Sequence, residues 1–203
     1  MASREIILNA IAEHRVPPVE LPGPFTDGIE YDDPFSQFQT VLKAVGGEAI
    51  RVPTMAAAQS AVSKLQIVTA AQRIFSSVPE VLPSGIDLST MDDPRSLNQL
   101  DLAVLSGQLA VAENAAVWVT DAVVRHRVVY FIAEHLILVV PASRLFHNMH
   151  QAYTQLSFSG PQYGLFISGP SKTADIEQSL VIGAQGPRSL HVILVDDKQH
   201  DDG

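Results

Sequence analysis

The chain has 203 residues, 46% hydrophobic and 17% charged, which is ample apolar material for the core of one fairly large domain and argues against a disordered chain. Thirteen basic residues against 22 acidic ones leave a formal charge of −9, a poor match for a nucleic-acid backbone or an anionic membrane surface. There is no cysteine, so disulfides, thiolate-held iron–sulfur clusters and a cysteine nucleophile are excluded.

Met1-Ala2-Ser3-Arg4-Glu5 lacks the basic stretch and apolar core of a secretion signal. The apolar run 136–141 is far short of the roughly 20 residues that cross a bilayer, so a cytoplasmic protein is expected. Ser3 caps a predicted short helix with Ile6, Ile7, Ala10 and Ile11 in one stripe. Pro17, Pro18, Pro22 and Pro24 end it and make 16–33 an extended connection. Asp32-Asp33-Pro34 then opens a helix carrying Phe35, Phe38, Val41, Leu42 and Val45, which Gly46-Gly47 stops. A strand is predicted at 48–52, a helix capped by Thr54 after it, and a strand at 67–70.

The segment 81–94 carries loop chemistry at Pro83-Ser84-Gly85, Asp87 and Asp92-Asp93-Pro94. Strands are predicted at 100–109, 115–120, 128–132 and 136–140. Ser143 is expected to cap a helix with Leu145, Phe146, Met149, Tyr153 and Leu156 inward. A strand at 163–168, a short helix at 175–182 and a last strand at 190–195 complete the pattern. Helices alternating with short, continuously apolar strands indicate a mainly parallel sheet covered on both faces, with some antiparallel pairing where the middle strands crowd together. The expected division is an N-terminal helix and proline-rich connection at 1–33, an α/β domain at 34–196 and a polar tail at 197–203.

Ligands of open α/β sheets gather at the C-terminal ends of strands, and three segments are candidates on that rule. In the first, 166–167 lead into Ser168-Gly169-Pro170-Ser171-Lys172-Thr173. Glycine, hydroxyls, a lysine and the free N–H groups of a helix start can hold an anion, although the spacing is not that of a Walker loop. The same residues also serve as a plain helix cap, with Asp175 and Glu177 complementing the dipole and only Lys172 left over. The second segment is 111–116, where Glu113 can act as a carboxylate base and Asn114 as an orienting amide, or both can simply make a turn between strands. The third is 183–188, where Gly186 and Arg188 can wall an anion site, or Gly183 can end a helix before a turn. His147 and His150 are three apart but have no acidic partner at metal-motif spacing, so no metal site is assigned. Glu134-His135 enters a strand, where a hydrogen-bonded histidine is expected and a base role stays open.

Taken together, Gly169-Pro170-Ser171-Lys172-Thr173-Ala174-Asp175-Ile176-Glu177 resembles a signature of the LUD domain family, and within it of the lactate utilization protein C group. The run from Leu180 through Gly183, Gly186-Pro187-Arg188 and Leu190-His191-Val192 is similar to that family's ending, and Ala112-Glu113-Asn114 to one of its turns, with Ala115 where the family has glycine. The resemblance implies a three-layer α/β/α fold like the sugar-isomerase/CoA-transferase (NagB/RpiA) group, with an N-terminal helical arm. It implies a cytoplasmic L-lactate-to-pyruvate system in which two partner proteins hold the iron–sulfur clusters and this chain encodes none. On this reading Glu113 and Asp175 are the candidate catalytic residues. Asn114, Ser168, Gly169, Ser171, Lys172, Thr173, Gly186 and Arg188 are the candidate ligand contacts, for a small anionic substrate. Two other functions remain open: a stand-alone enzyme or binding protein for a phosphorylated, CoA-like or nucleotide ligand, and a scaffold subunit without its own pocket.

Overall fold

The computed structural model describes residues 3–14, 16, 19–20, 23, 25, 27–157, 159–160, 163–174, 180–184 and 186–197. Helix α1 (Ser3–Glu13) forms where the apolar stripe predicts it, yet none of its residues is buried. The connection behind it has no regular structure in its described residues. Helix α2 (Pro34–Ala44) starts at Asp33, whose carboxylate accepts from Phe35 and Ser36 N–H, and it buries Phe38 and Leu42. Strand β1 (Glu48–Val52) and helix α3 (Met55–Val62, capped by Thr54) follow as expected.

The first correction comes at 66–70, a helix α4 (Gln66–Ala70) rather than a strand. A short apolar run does not distinguish the two by periodicity. Here Val68 and Thr69 N–H close back onto Leu65 O. The strand itself, β2 (Ile74–Ser76), comes later and is too short to show alternation. The predicted strand 100–109 is two strands, β3 (Leu102–Ser106) and β4 (Leu109–Val111). Gly107 N–H donates to Val139 O and Gln108 N–H to Trp118 O, so the chain leaves one sheet for another at this point. Strand β5 (Ala116–Thr120) agrees with the pattern. The apolar run expected as a strand at 128–132 is instead one helical turn, α5 (Val129–Ile132), which buries Val129 and Tyr130; the Tyr130 hydroxyl donates to Thr120 O.

Strand β6 (His135–Pro141) is followed by β7 (Leu145–Phe146), which pairs with Ala110 and Val111. Ser143 therefore caps no helix. Helix α6 (Met149–Thr154) starts later, at Asn148, whose side chain accepts from Gln151 N–H. Strand β8 (Gly164–Ile167) is as predicted. The helix expected at 175–182 is not formed at its C-terminal end. Strand β9 (Lys172–Ala174) pairs antiparallel with β10 (Leu180–Ile182), and Asp175 and Glu177 lie outside the described residues. Strand β11 (Ser189–Val195) completes the fold.

Five strands form an all-parallel sheet in the order β1-β11-β6-β3-β2. A second sheet, β7-β4-β5-β8, is mostly antiparallel. The period-2 alternation of the central strands separates two cores. Leu136, Leu138, Val140, Leu190 and Val192 face α2, α5 and the second sheet. Ile137, Val139, Ile193 and Val195 face α3 and α4. The fold is thus α/β with a mainly parallel sheet. No helix among the described residues is long and apolar enough to cross a membrane.

Candidate functional site

The motif segments meet at the edge where the parallel strands begin. Strand β8 pairs antiparallel with β5, Ile167 opposite Val117, which brings Ser168 to the β4–β5 turn. The Ser168 hydroxyl donates to Asn114 O at 2.7 Å. That turn is held by the Asn114 side chain, which accepts from Ala116 N–H. Ala115 has φ 52°, the left-handed region that costs a non-glycine residue roughly 1–2 kcal/mol. The chain carries alanine there under strain.

Gly169, at φ 76°, lies against the end of α2. A Cβ would be 2.9 Å from Val45 Cγ2 and 3.0 Å from Val45 O, so conformation and space both require glycine. Beyond Pro170, Ser171 is locked to the third segment. Its N–H donates to Pro187 O at 2.8 Å, and its carbonyl accepts from Gly183 N–H at 3.0 Å. Gly186 packs directly on Ser171, where a Cβ would sit 2.8 Å from Ser171 Cβ. These N–H groups are spent within the protein. The helix start expected to supply an anion cradle is not formed at 172–174, which is a strand.

Arg188 is also engaged: its N–H donates to Glu134 O at 2.8 Å, and its guanidinium pairs with the Glu134 carboxylate at 2.6 Å. Both side chains are substantially exposed, so this pair adds little stability and can exchange partners. Beside it opens a cleft of about 440 Å³ lined by Phe131, Glu134, Gly183, Gly186 and Arg188 among others. A second hollow of about 230 Å³ shares Phe131 and Gly186 and is walled by Tyr130, Leu165, Ile167, Ser168–Ser171 and Pro187. Ser168, Gly169 and Ser171 thus line the second hollow and Arg188 the first, Gly186 lies in the wall of both, and Asn114 holds the Ser168 hydroxyl.

Other predicted residues do not converge there. The Glu113 carboxylate accepts from Met149 N–H at 2.8 Å, and its backbone N–H donates to His147 O. It serves the start of α6, not the Ser171 loop. Lys172 begins β9 with an exposed side chain, Thr173 lies within the same strand, and Asp175 is outside the described residues. His147 and His150 do not share a helix: His147 precedes α6 and accepts from Tyr31 N–H at 3.0 Å, while the His150 ring packs on Phe25. Phe131 and Tyr130 were legible only as apolar residues, since one helical turn inside an apolar run carries no periodic signal.

The location also departs from the strand-end rule. Segments 131–134 and 183–188 run into the starts of β6 and β11, so the cleft lies at the N-terminal edge of the parallel sheet. Titratable groups line this same edge. His135 Nδ1 is 2.8 Å from the Ser189 hydroxyl. Burial, partly offset by Glu48, pushes the His191 pKa down. Backbone N–H groups of Arg73 and Gln72 hold the Asp101 carboxyl below its ordinary range. Burial raises the Tyr130 phenol strongly, which keeps it a neutral donor.

The LUD domain model matches residues 86–195, more than half of the chain. The chain is similar to lactate utilization protein C of Shouchella clausii, 36% identical over 115 residues covering 53% of this chain and 50% of that protein. It is also similar to lactate utilization protein C 1 of Bacillus mycoides, 32% identical over 117 residues covering 53% and 48%. The chain spans about half the length of the curated relatives it matches. A crystal structure of a DUF162 family protein from Deinococcus radiodurans superposes with a TM-score of 0.59 at 18% identity, covering 80% of this chain and 96% of that one. The fold is therefore shared well beyond the matched sequence. The cleft is built by segments that lie within the region the family model matches, and this chain belongs to the LUD domain family.

Proposed function

We propose that this chain is the cluster-free component of a cytoplasmic L-lactate-oxidising system, acting beside iron–sulfur partner proteins, and that the Ser171–Arg188 cleft receives the hydroxy acid. One observation carries the reading: two motif segments separated in sequence are bonded to each other through Ser171 and wall two hollows that share Phe131 and Gly186, one of them the cleft beside Arg188 and Glu134. In that cleft Arg188 is the group suited to a carboxylate, because a guanidinium can bind it through two parallel hydrogen bonds. Glu134 holds that guanidinium in the ligand-free state, and an arriving lactate carboxylate takes its place. The released Glu134 is then within the same cleft as the substrate hydroxyl and is better placed than Glu113 to accept its proton. Oxidation of lactate to pyruvate releases two electrons and two protons; Glu134 would take the hydroxyl proton, and the iron–sulfur partners would supply the electron acceptor that this chain does not encode.

The test is growth of the source organism on L-lactate with the gene deleted and then restored as wild type or Arg188→Ala. Deletion is expected to abolish growth on lactate and to leave growth on pyruvate intact. Arg188→Ala is expected to restore less than about a tenth of the wild-type rate, a loss of the size that follows from removing a charge-assisted bond. The purified variant should keep its melting temperature. Undiminished lactate growth of the deletion strain sinks the proposal.

A further inference from the structure

The connection between α1 and α2 is fastened to the start of α6 by three side chains. Asn148, almost fully buried, donates through Nδ2 to Ile29 O at 2.9 Å while its Oδ1 caps α6. Gly28 lies so close that a Cβ there would be 2.4 Å from Asn148 Nδ2. Gln151 Nε2 donates to the Glu30 carboxylate at 2.9 Å. Finally, Tyr31 N–H donates to Nδ1 of His147 at 3.0 Å, and the two rings stack 6.3 Å apart. Residues 27–31 therefore form a strap laid over the start of α6.

The last bond sets the chemistry. A backbone N–H can be accepted only by a ring nitrogen with a free lone pair, so His147 is neutral and carries its proton on Nε2. An imidazolium has a proton on both nitrogens. Its Nδ1–H would then face the Tyr31 N–H, converting a hydrogen bond into a donor–donor contact and leaving a part-buried amide without its acceptor. The titratable groups on the surrounding elements are Asp27, Glu30, Tyr31 and Asp32 on the strap, Asp33 at the start of α2, Glu113 on the β4–β5 turn and His150 on α6.

The latch also touches the cleft. Glu113 N–H donates to His147 O, and the next residue, Asn114, accepts from the Ser168 hydroxyl. Strap, turn and cleft loop are thus joined by consecutive bonds.

We propose that His147 is a pH-sensitive latch: neutral, it holds the strap against the start of α6, and on protonation it releases the strap. The test is hydrogen–deuterium exchange of the full chain at about pH 8 and about pH 5, the range over which imidazoles change charge, with rates corrected for intrinsic pH dependence. Protection of 27–33 is expected to fall about tenfold in acid, the effect of losing one hydrogen bond, while β6 protection holds. His147→Asn places an amide oxygen where Nδ1 stands and should keep the strap protected at both pH values. Equal wild-type protection at both pH values, or acid release in His147→Asn as in wild type, overturns the latch. If the asparagine fails to hold the strap at either pH, the ¹⁵N shift of the wild-type ring decides: an unprotonated Nδ1 at about pH 8 supports the latch, and a protonated one overturns it.

Discussion

At the level of single residues, the histidine on β11 has the clearest measurable consequence. Burial lowers the His191 pKa from 6.5, and Glu48, 3.6 Å away but mostly exposed, offsets this only in part. The folded state thus prefers the neutral ring more than the unfolded chain does. The stability this contributes is complete above the ordinary imidazole value and is lost as pH falls through the lowered folded value. Urea melts across this range should show wild type losing stability toward acid, and His191→Gln should show a flatter acid limb. Parallel curves for the two proteins would mean that another group drives the acid loss. Gly169 and Ala115 show how much single residues reveal from sequence. The Ala115 neighbourhood is open to a turn from sequence, and it is one, whereas the Gly169 segment reads as the entry to a helix; only the structure shows that Gly169 faces the Val45 backbone.

Among the elements, agreement and disagreement follow signal length. Helix α2 has eleven residues, an acidic cap and a proline at its start, and each level of the sequence agrees on it. The errors at 67–70 and 128–132 are short runs of four and five residues, where helix and strand look alike. Helix α6 was displaced because Ser143 and Asn148 are both competent caps, and β7 takes 145–146 into a sheet between them. Asn148→Ala should therefore cost about 2 kcal/mol, combining a lost cap with the lost bond to Ile29 O. Ser143→Ala should stay within about 0.5 kcal/mol. Chemical denaturation separates the two, and a larger cost at Ser143 would contradict the observed helix start.

For the whole molecule, the question is which apolar residues are core. Leu42 is fully buried, while Ile7 is 58% exposed on a helix with no buried residue. Leu42→Ala should cost about 2–5 kcal/mol. Ile7→Glu should change stability by less than about 0.5 kcal/mol. Equal losses in urea melts would show that α1 packs on the body. From the sequence both residues belong to apolar stripes, because periodicity reports that a face is apolar and not what covers it.

The sequence by itself determined the α/β class, the mainly parallel sheet and the residues of the two motif loops, because alternation, caps and glycines are local properties of the chain. It also held an unused clue: a loop placed just before β11 must lie where parallel strands begin. Only the tertiary structure decided that 172–174 pairs with 180–182 instead of opening a helix. Only it showed that Ser171 bonds both ends of 183–188, and that Glu113 serves α6 instead of the cleft. Those outcomes depend on which distant segment supplies the partner for a backbone N–H, and such pairings leave no trace in local spacing.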